Sequence, residues 1–222
     1  MFQAITVQFQ CSINFVTLCS ADTPKKFREC KINMVYQRFT SLNEEDLEFL
    51  KAHTHYDSVT IESWYKSFKK DCPDGQLTPE RYIKTHKQFF PTGNAEELSE
   101  HIFRTFDTDK NGYLDFKEFL LAINIMSAGT AEEKLKWAFR VFDVEGNNLI
   151  YREEMIKIVR SIYAMSGADF TNVKESPEER AESVFSWMDE NEDGHLTEEE
   201  FVQYCLHNDK LSKMLNAHGM TA

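Results

Sequence analysis

Beyond about Arg38 the apolar residues of this chain recur at three- and four-residue steps, and the stripes come in matched pairs. Leu98, Ile102, Phe103 and Phe106 fall on one helical face, as do Phe116, Phe119, Leu120 and Ile123. Leu135, Ala138, Phe139 and Phe142 repeat the arrangement, and Val184, Phe185 and Met188 repeat it again. Polar stretches of about twelve residues lie next to these stripes, so the pattern predicts internal repeats of helix, loop and helix. Start signals agree. Thr130 with Glu133 forms a capping box, and Ser176, Pro177 and Glu179 supply an N-cap, a first-position proline and an N3 acid. Ser127-Ala-Gly-Thr130 reads as a short hinge between two pairs of repeats.

The segment before Arg38 follows a different rule. Ile5, Val7, Phe9, Cys11, Ile13 and Phe15 alternate with Thr6, Gln8, Gln10, Ser12 and Asn14, a period of two that fits a strand face. A basic stretch follows at Lys25, Lys26, Arg28 and Lys31. A lone alternating segment has no neighbour to pair with, which favours an extension that stays unstructured until something covers it. An anchor for a partner or a membrane surface is the alternative. The uncharged start also invites comparison with a secretory leader. It lacks a basic beginning, and Gln8, Gln10, Ser12 and Asn14 interrupt the apolar run, so no leader is expected. No apolar run approaches the length of a membrane span.

Composition narrows the function classes. Asp and Glu number 37 against 25 Lys and Arg, a formal net charge of −12, which argues against nucleic acid and points to cations. The 18 phenylalanines, beside few glycines and prolines, suit helices packed around aromatic cores. Cys11, Cys19, Cys30, Cys72 and Cys205 show neither zinc spacing nor a disulfide framework. They read as free thiols of a reducing compartment, so a cytoplasmic protein is expected, peripheral to membranes only through a partner. No Ser/His/Asp, Cys/His or phosphate-loop constellation is present, and an enzyme is not expected. His53 and His55 could share a metal, but an exposed polar turn is the simpler reading.

The polar stretches carry the chemistry. A hard divalent cation such as Ca²⁺ takes six to eight oxygens, and the EF-hand loop supplies them from positions 1, 3, 5, 7, 9 and 12, with a glycine turn at position 6. Asp107, Asp109, Asn111, Tyr113 (through its carbonyl), Asp115 and Glu118 match every position, with Gly112 at the turn. Asp189, Asn191, Asp193, His195, Thr197 and Glu200 match likewise around Gly194. An ordinary acidic solvated loop would need five or six coincidences to look like either one. A third loop is weaker. Asp143, Glu145, Asn147, Leu149 and Glu154 stand at ligand positions, but Glu145 is one methylene too long, Asn148 replaces the glycine and Tyr151 holds position 9. Reduced affinity is expected there. Two strong Ca²⁺ sites and a third weaker one follow, with Mg²⁺ a candidate occupant at rest.

A fourth loop, first in chain order, lacks its anchoring acids. With Gly75 at position 6, Lys70 falls at position 1, Cys72 at 3, Pro73 at 4 and Arg81 at 12. Two basic residues replace the anchoring carboxylates, so this loop is expected to be structural. Its Leu77 can still pair with Leu114 across the two position-8 residues.

The segments Trp64-Tyr65-Lys-Ser-Phe68-Lys-Lys-Asp-Cys72-Pro73-Asp-Gly75-Gln-Leu, Phe89-Phe90-Pro91 and Gly129-Thr130-Ala-Glu-Glu-Lys134-Leu-Lys-Trp137-Ala-Phe139 resemble the neuronal calcium sensor family. The resemblance runs from about Leu42 to the C-terminus. It implies an all-α fold of two EF-hand pairs in a compact two-lobed globule, with residues 1–40 a variable extension, 41–127 the first pair and 128–222 the second pair with a C-terminal helix. It also implies a sensor whose calcium-opened apolar groove regulates a target, either a target-protein helix or the cytoplasmic segment of a channel, receptor or cyclase. By position Trp64, Phe68, Tyr82, Phe89, Phe119 and Ile123 would line that groove. Spacing alone reads the same residues as ordinary core. Phe2 stands where the family's lipid-accepting glycine belongs, so the sequence leaves membrane association open. Leu211, Met214 and Leu215 suggest a short helix that either covers the groove or packs on the second lobe. A passive calcium buffer is the alternative within the class, and a calcium-triggered photoprotein is the enzyme-like rival.

Overall fold

The computed structural model describes residues 42–90, 93–166 and 176–208. Helix starts are set by side chains that accept the N–H groups which a helix leaves unpaired. Asn43 accepts from Asp46 and begins α1 (Glu44–His53), and Asp57 accepts from Thr60 and begins α2 (Ser58–Asp71). Helix α3 (Pro79–Phe89) starts on a proline, whose missing N–H costs nothing there, and α4 (Glu96–Phe106) completes the first lobe's entry to its second loop. Reciprocal capping boxes start α5 (Phe116–Ala128) at Asp115, α6 (Ala131–Phe142) at Thr130, α8 (Pro177–Met188) at Ser176 and α9 (Glu198–His207) at Thr197. Helix α7 (Arg152–Ser166) follows the two-residue strand β1 (Ile150–Tyr151), and β2 (His195–Leu196) precedes α9. The architecture is all-α, as the periodicity predicts.

The loops pair back to back. Leu77 and Leu114 exchange two backbone hydrogen bonds of 2.9 Å. In the second lobe β1 and β2 run antiparallel, with Ile150 opposite Leu196 and Tyr151 opposite His195. Each pair forms the floor of a lobe. Above the first, Phe68 packs against Phe116 and Phe119 with ring centroids 5.5 and 5.2 Å apart. Above the second, Phe201 packs against Phe139 and Phe142 at 5.8 and 5.7 Å. The stripes read from the sequence supply these cores: Leu98, Ile102, Phe103, Leu135, Ala138, Val184 and Met188 are all buried.

The lobes are locked together. Trp137 stacks on Phe106 at 5.5 Å and donates its indole N–H to the Thr105 hydroxyl at 2.9 Å. Arg104 reaches from the last turn of α4 to the carbonyls of Arg140 (3.1 Å), Asp143 (3.0 Å) and Val144, closing the C-terminal end of α6. The expected hinge at 127–130 is a short junction. Only Gly129 and the cap Thr130 separate α5 from α6, and a Cβ on Gly129 would lie 2.4 Å from the Ile125 carbonyl oxygen. No helix among the described residues is long and apolar enough to cross a membrane. The alternating segment at 5–15, the basic stretch, Cys11, Cys19, Cys30 and the helix expected around Leu211, Met214 and Leu215 lie outside the described residues. So does the side chain of Phe89.

Candidate metal centres

One backbone template underlies three loops. In loop two, Asp107 at position 1 accepts the N–H groups of Asn111 (3.1 Å) and Gly112 (3.0 Å). Asp109 at position 3 accepts from Asn111 (3.0 Å), and Asn111 at position 5 accepts from Tyr113 (3.0 Å). These short turns wrap the chain into a compact loop. Glu118 closes the loop: Oε1 accepts from the Thr108 N–H and hydroxyl, both 2.8 Å, and Oε2 accepts from the Asp115 N–H at 3.2 Å. Asp107, Asp109 and Glu118 each bring an oxygen within 4.8 Å of the others, the one such acidic trio among the described residues. Three carboxylates so close repel one another unless a cation sits between them, and the hard oxygen set fits Ca²⁺.

Loop four repeats the template. Asp189 accepts from Asp193 and Gly194 (both 3.1 Å), Asn191 accepts from Asp193 (3.0 Å), and Asp193 accepts from His195 (3.1 Å). Thr197 donates both its N–H (2.8 Å) and its hydroxyl (2.7 Å) to Glu200. Position 9 therefore serves twice, as a candidate ligand and as the helix cap. Asp115 does the same in loop two.

Loop three departs at the positions the sequence marks as weak. Asp143 accepts from Asn147 (3.0 Å) and Asn148 (2.9 Å), Asn147 accepts from Leu149 (3.0 Å), and Glu154 accepts from Glu145 (2.9 Å) and Tyr151 (2.9 Å). The turn that Asp109 and Asn191 make to the position-5 N–H is not matched by Glu145, whose extra methylene carries the carboxylate outward to the Asn147 amide at 3.4 Å. Asn148 adopts the left-handed conformation (φ +64°) that Gly112 (+88°) and Gly194 (+85°) hold without strain. The sequence reading passed over a compensation. Position 4 is also left-handed, at Lys110 (φ +58°) and Glu192 (φ +58°), and loop three places its glycine there, at Gly146 (φ +72°). A glycine two residues before Asn148 is the signal that marks this exchange.

Loop one keeps the fold of the motif without its anchoring acids at positions 1 and 12. Gly75 has φ +82°, and Asp74 at position 5 accepts from the Gln76 N–H at 3.2 Å, the same turn seen in the other loops. Lys70, at the position-1 place, is exposed, and Cys72 is buried, its thiol pushed up chiefly by that burial. His53 and His55 are engaged apart, His53 with the Phe49 carbonyl (2.7 Å) and His55 with the Asn124 side chain (3.1 Å).

Most of the residues that the family resemblance assigns to a groove can be placed, Phe89 excepted. Phe68, Tyr82, Phe119 and Ile123 are buried, while Trp64 is half-buried and stacks on Tyr56 at 5.7 Å. Tyr82, Phe119 and Ile123 line a small apolar pocket together with His86, Phe106 and Met126. Trp64 and Phe68 lie outside it.

The comparisons with known proteins agree with this geometry. The model of an EF-hand domain pair matches residues 132–206, and that of a single EF-hand domain matches residues 100–126. Neuronal calcium sensor 1 of Lymnaea stagnalis is 44% identical over 169 residues, 75% of this chain and 88% of the relative. Recoverin of Homo sapiens is 35% identical over 179 residues, 79% of this chain and 90% of the relative. Visinin of Gallus gallus is 30% identical over 182 residues, 80% and 95% of the two chains. The chain is a calcium-binding EF-hand protein and belongs to the neuronal calcium sensor family.

Proposed function

We propose that this protein converts a rise in Ca²⁺ into exposure of an apolar surface on its first lobe, which then engages a helix or cytoplasmic segment of a target protein. Loops two and four are the strong sites, loop three binds more weakly, and loop one binds none. The chain works as a regulator and not as an enzyme. Residues 41–127 act as the responding lobe and 128–222 as its partner lobe.

One observation carries the reading. Glu118 holds both the first residues of loop two and the start of α5, and α5 carries Phe119 and Ile123 into the closed apolar pocket. An ion that pulls the Glu118 carboxylate inward therefore pulls on the wall of that pocket. Ca²⁺ must bind the open arrangement more tightly than the closed one, since equal affinity for both would shift nothing. A passive buffer would fill the same loops and leave the pocket closed.

The test follows an apolar dye and the fluorescence of Trp64 as calcium is added to protein in which Trp137 and Trp187 are replaced by Phe. Dye binding and a Trp64 change are expected, and Glu118→Gln should blunt both. Saturation of the loops with neither signal would make the protein a buffer. For target contact the informative variant is Trp64→Ala, because Trp64 is half-buried. Phe68 is 5% exposed, so Phe68→Ala would cost about 3–5 kcal/mol of stability before any target is met. Trp64→Ala should weaken target binding several-fold and leave calcium binding at loop four unchanged.

A further inference from the structure

Loop one contains a cation already. Arg81 occupies position 12, where Glu118 stands in loop two, and its guanidinium donates from Nη1 to Asp74 Oδ1 (3.1 Å), to Asp74 Oδ2 (3.4 Å) and to the Gln76 carbonyl (3.1 Å). Asp74 is position 5 and Gln76 is position 7, two of the oxygens a metal takes in the other loops. Lys69 adds a second positive group, donating to the Pro73 carbonyl at position 4 at 2.7 Å. One side chain thus fills the roles that Ca²⁺ and its clamping glutamate share elsewhere.

We propose that Arg81 is a tethered substitute for the metal, which keeps loop one folded without calcium and thereby positions calcium site two. The connection runs through the Leu77–Leu114 bridge, whose two 2.9 Å bonds join position 8 of the held loop to position 8 of loop two. An ordinary pair of EF-hands must order two empty loops as it fills. Here one is ordered in advance, so site two spends less of its binding free energy on ordering its neighbour. The first lobe then answers to a single ion. Arg81 is a positioning residue, since it reaches site two only through Leu77 and Leu114.

This inference rests on loop two being a calcium site, yet its first test needs no calcium. In chelator, amide exchange at Leu77 and Leu114 should be slow in the wild type and faster in Arg81→Gln and in Asp74→Asn. The double variant should be no faster than either single one, because both remove the same contact. Arg81→Lys, which keeps a charge but not the fork, should fall between. Site two is then titrated alone, with Glu154→Gln and Glu200→Gln silencing the other loops. Arg81→Gln should weaken it about two- to five-fold at low salt, the range of a partly exposed ion pair, and by less at high salt. Site four, titrated in a Glu118→Gln and Glu154→Gln background, should not respond. Unchanged exchange in Arg81→Gln, additive effects of the two substitutions, or an equal loss at site four would overturn the assignment. Absence of any calcium binding at loop two, with exchange still dependent on Arg81, would instead overturn the calcium role of loop two.

Discussion

Replacing Glu118 by Gln is the sharpest perturbation of the first lobe, because one carboxylate holds four donors from the two ends of loop two. Its side chain is nearly buried, at 9% exposure, with Thr108 bonding one oxygen and the Asp115 N–H bonding the other. An amide has one oxygen and one NH₂ group. Either the Thr108 pair or the Asp115 N–H must then face a donor, and an unpaired buried donor costs about 1–3 kcal/mol. Calcium-free Glu118→Gln should therefore unfold at lower urea by that amount. With calcium the loss is larger. The variant surrenders a full charge and one of two clamping oxygens, and removing one member of a buried ion pair costs about 3–5 kcal/mol. That is roughly two to four orders of magnitude in affinity at one site. Calorimetric titration of chelator-stripped protein should show one strong site where the wild type shows two, and Glu200→Gln should remove the other. An unchanged number of strong sites in Glu118→Gln would refute loop two as a calcium site.

Glu145→Asp together with Asn148→Gly should tighten the third site by about two- to ten-fold in the same titration, by restoring the turn to Asn147 and relieving a left-handed strain of roughly 1 kcal/mol. An unchanged midpoint would place the limit at Tyr151. His86, buried beside Ser99 and Tyr82, has its pKa lowered to about 4 by burial, so it stays neutral in the folded protein. Its contribution is present in full above the unfolded value near 6.5 and is lost as pH falls toward 4, a span worth about 3 kcal/mol. Urea midpoints between pH 6.5 and 4 should fall less steeply in His86→Leu, and an identical slope would refute the argument. His101, lowered to about 4 by burial and by Lys157 and Arg104, titrates in the same window and contributes to the residual slope.

Much of the molecule was legible in the chain itself. Ligand spacing in loops two and four is a local property, because each turn is closed by a side chain bonding an N–H two to five residues away. The departures of loop three from the motif were local too. Glu145 and Asn148 depart from it in length and backbone angle, which need no neighbour, and the structure places Glu145 outside the turn and Asn148 in the left-handed region. Helix stripes foretold the cores, and the Leu77–Leu114 pairing followed from the equivalence of repeats.

Other features were decided only by the folded structure. Arg81 reads in the sequence as a basic residue spoiling position 12. Only the folded loop, by bringing Asp74 and Gln76 under its guanidinium, makes it a substitute cation. The tight junction at Gly129 and the reach of Arg104 across the lobes depend on how two helix pairs dock, which no local pattern encodes. The groove shows the divide most clearly. Apolar periodicity says that Phe68, Tyr82, Phe119 and Ile123 face inward, and they do. Whether an inward face is permanent core or a surface awaiting a partner is a difference in free energy between two packings of the whole lobe. Spacing is the same in both, so that choice belongs to the tertiary structure.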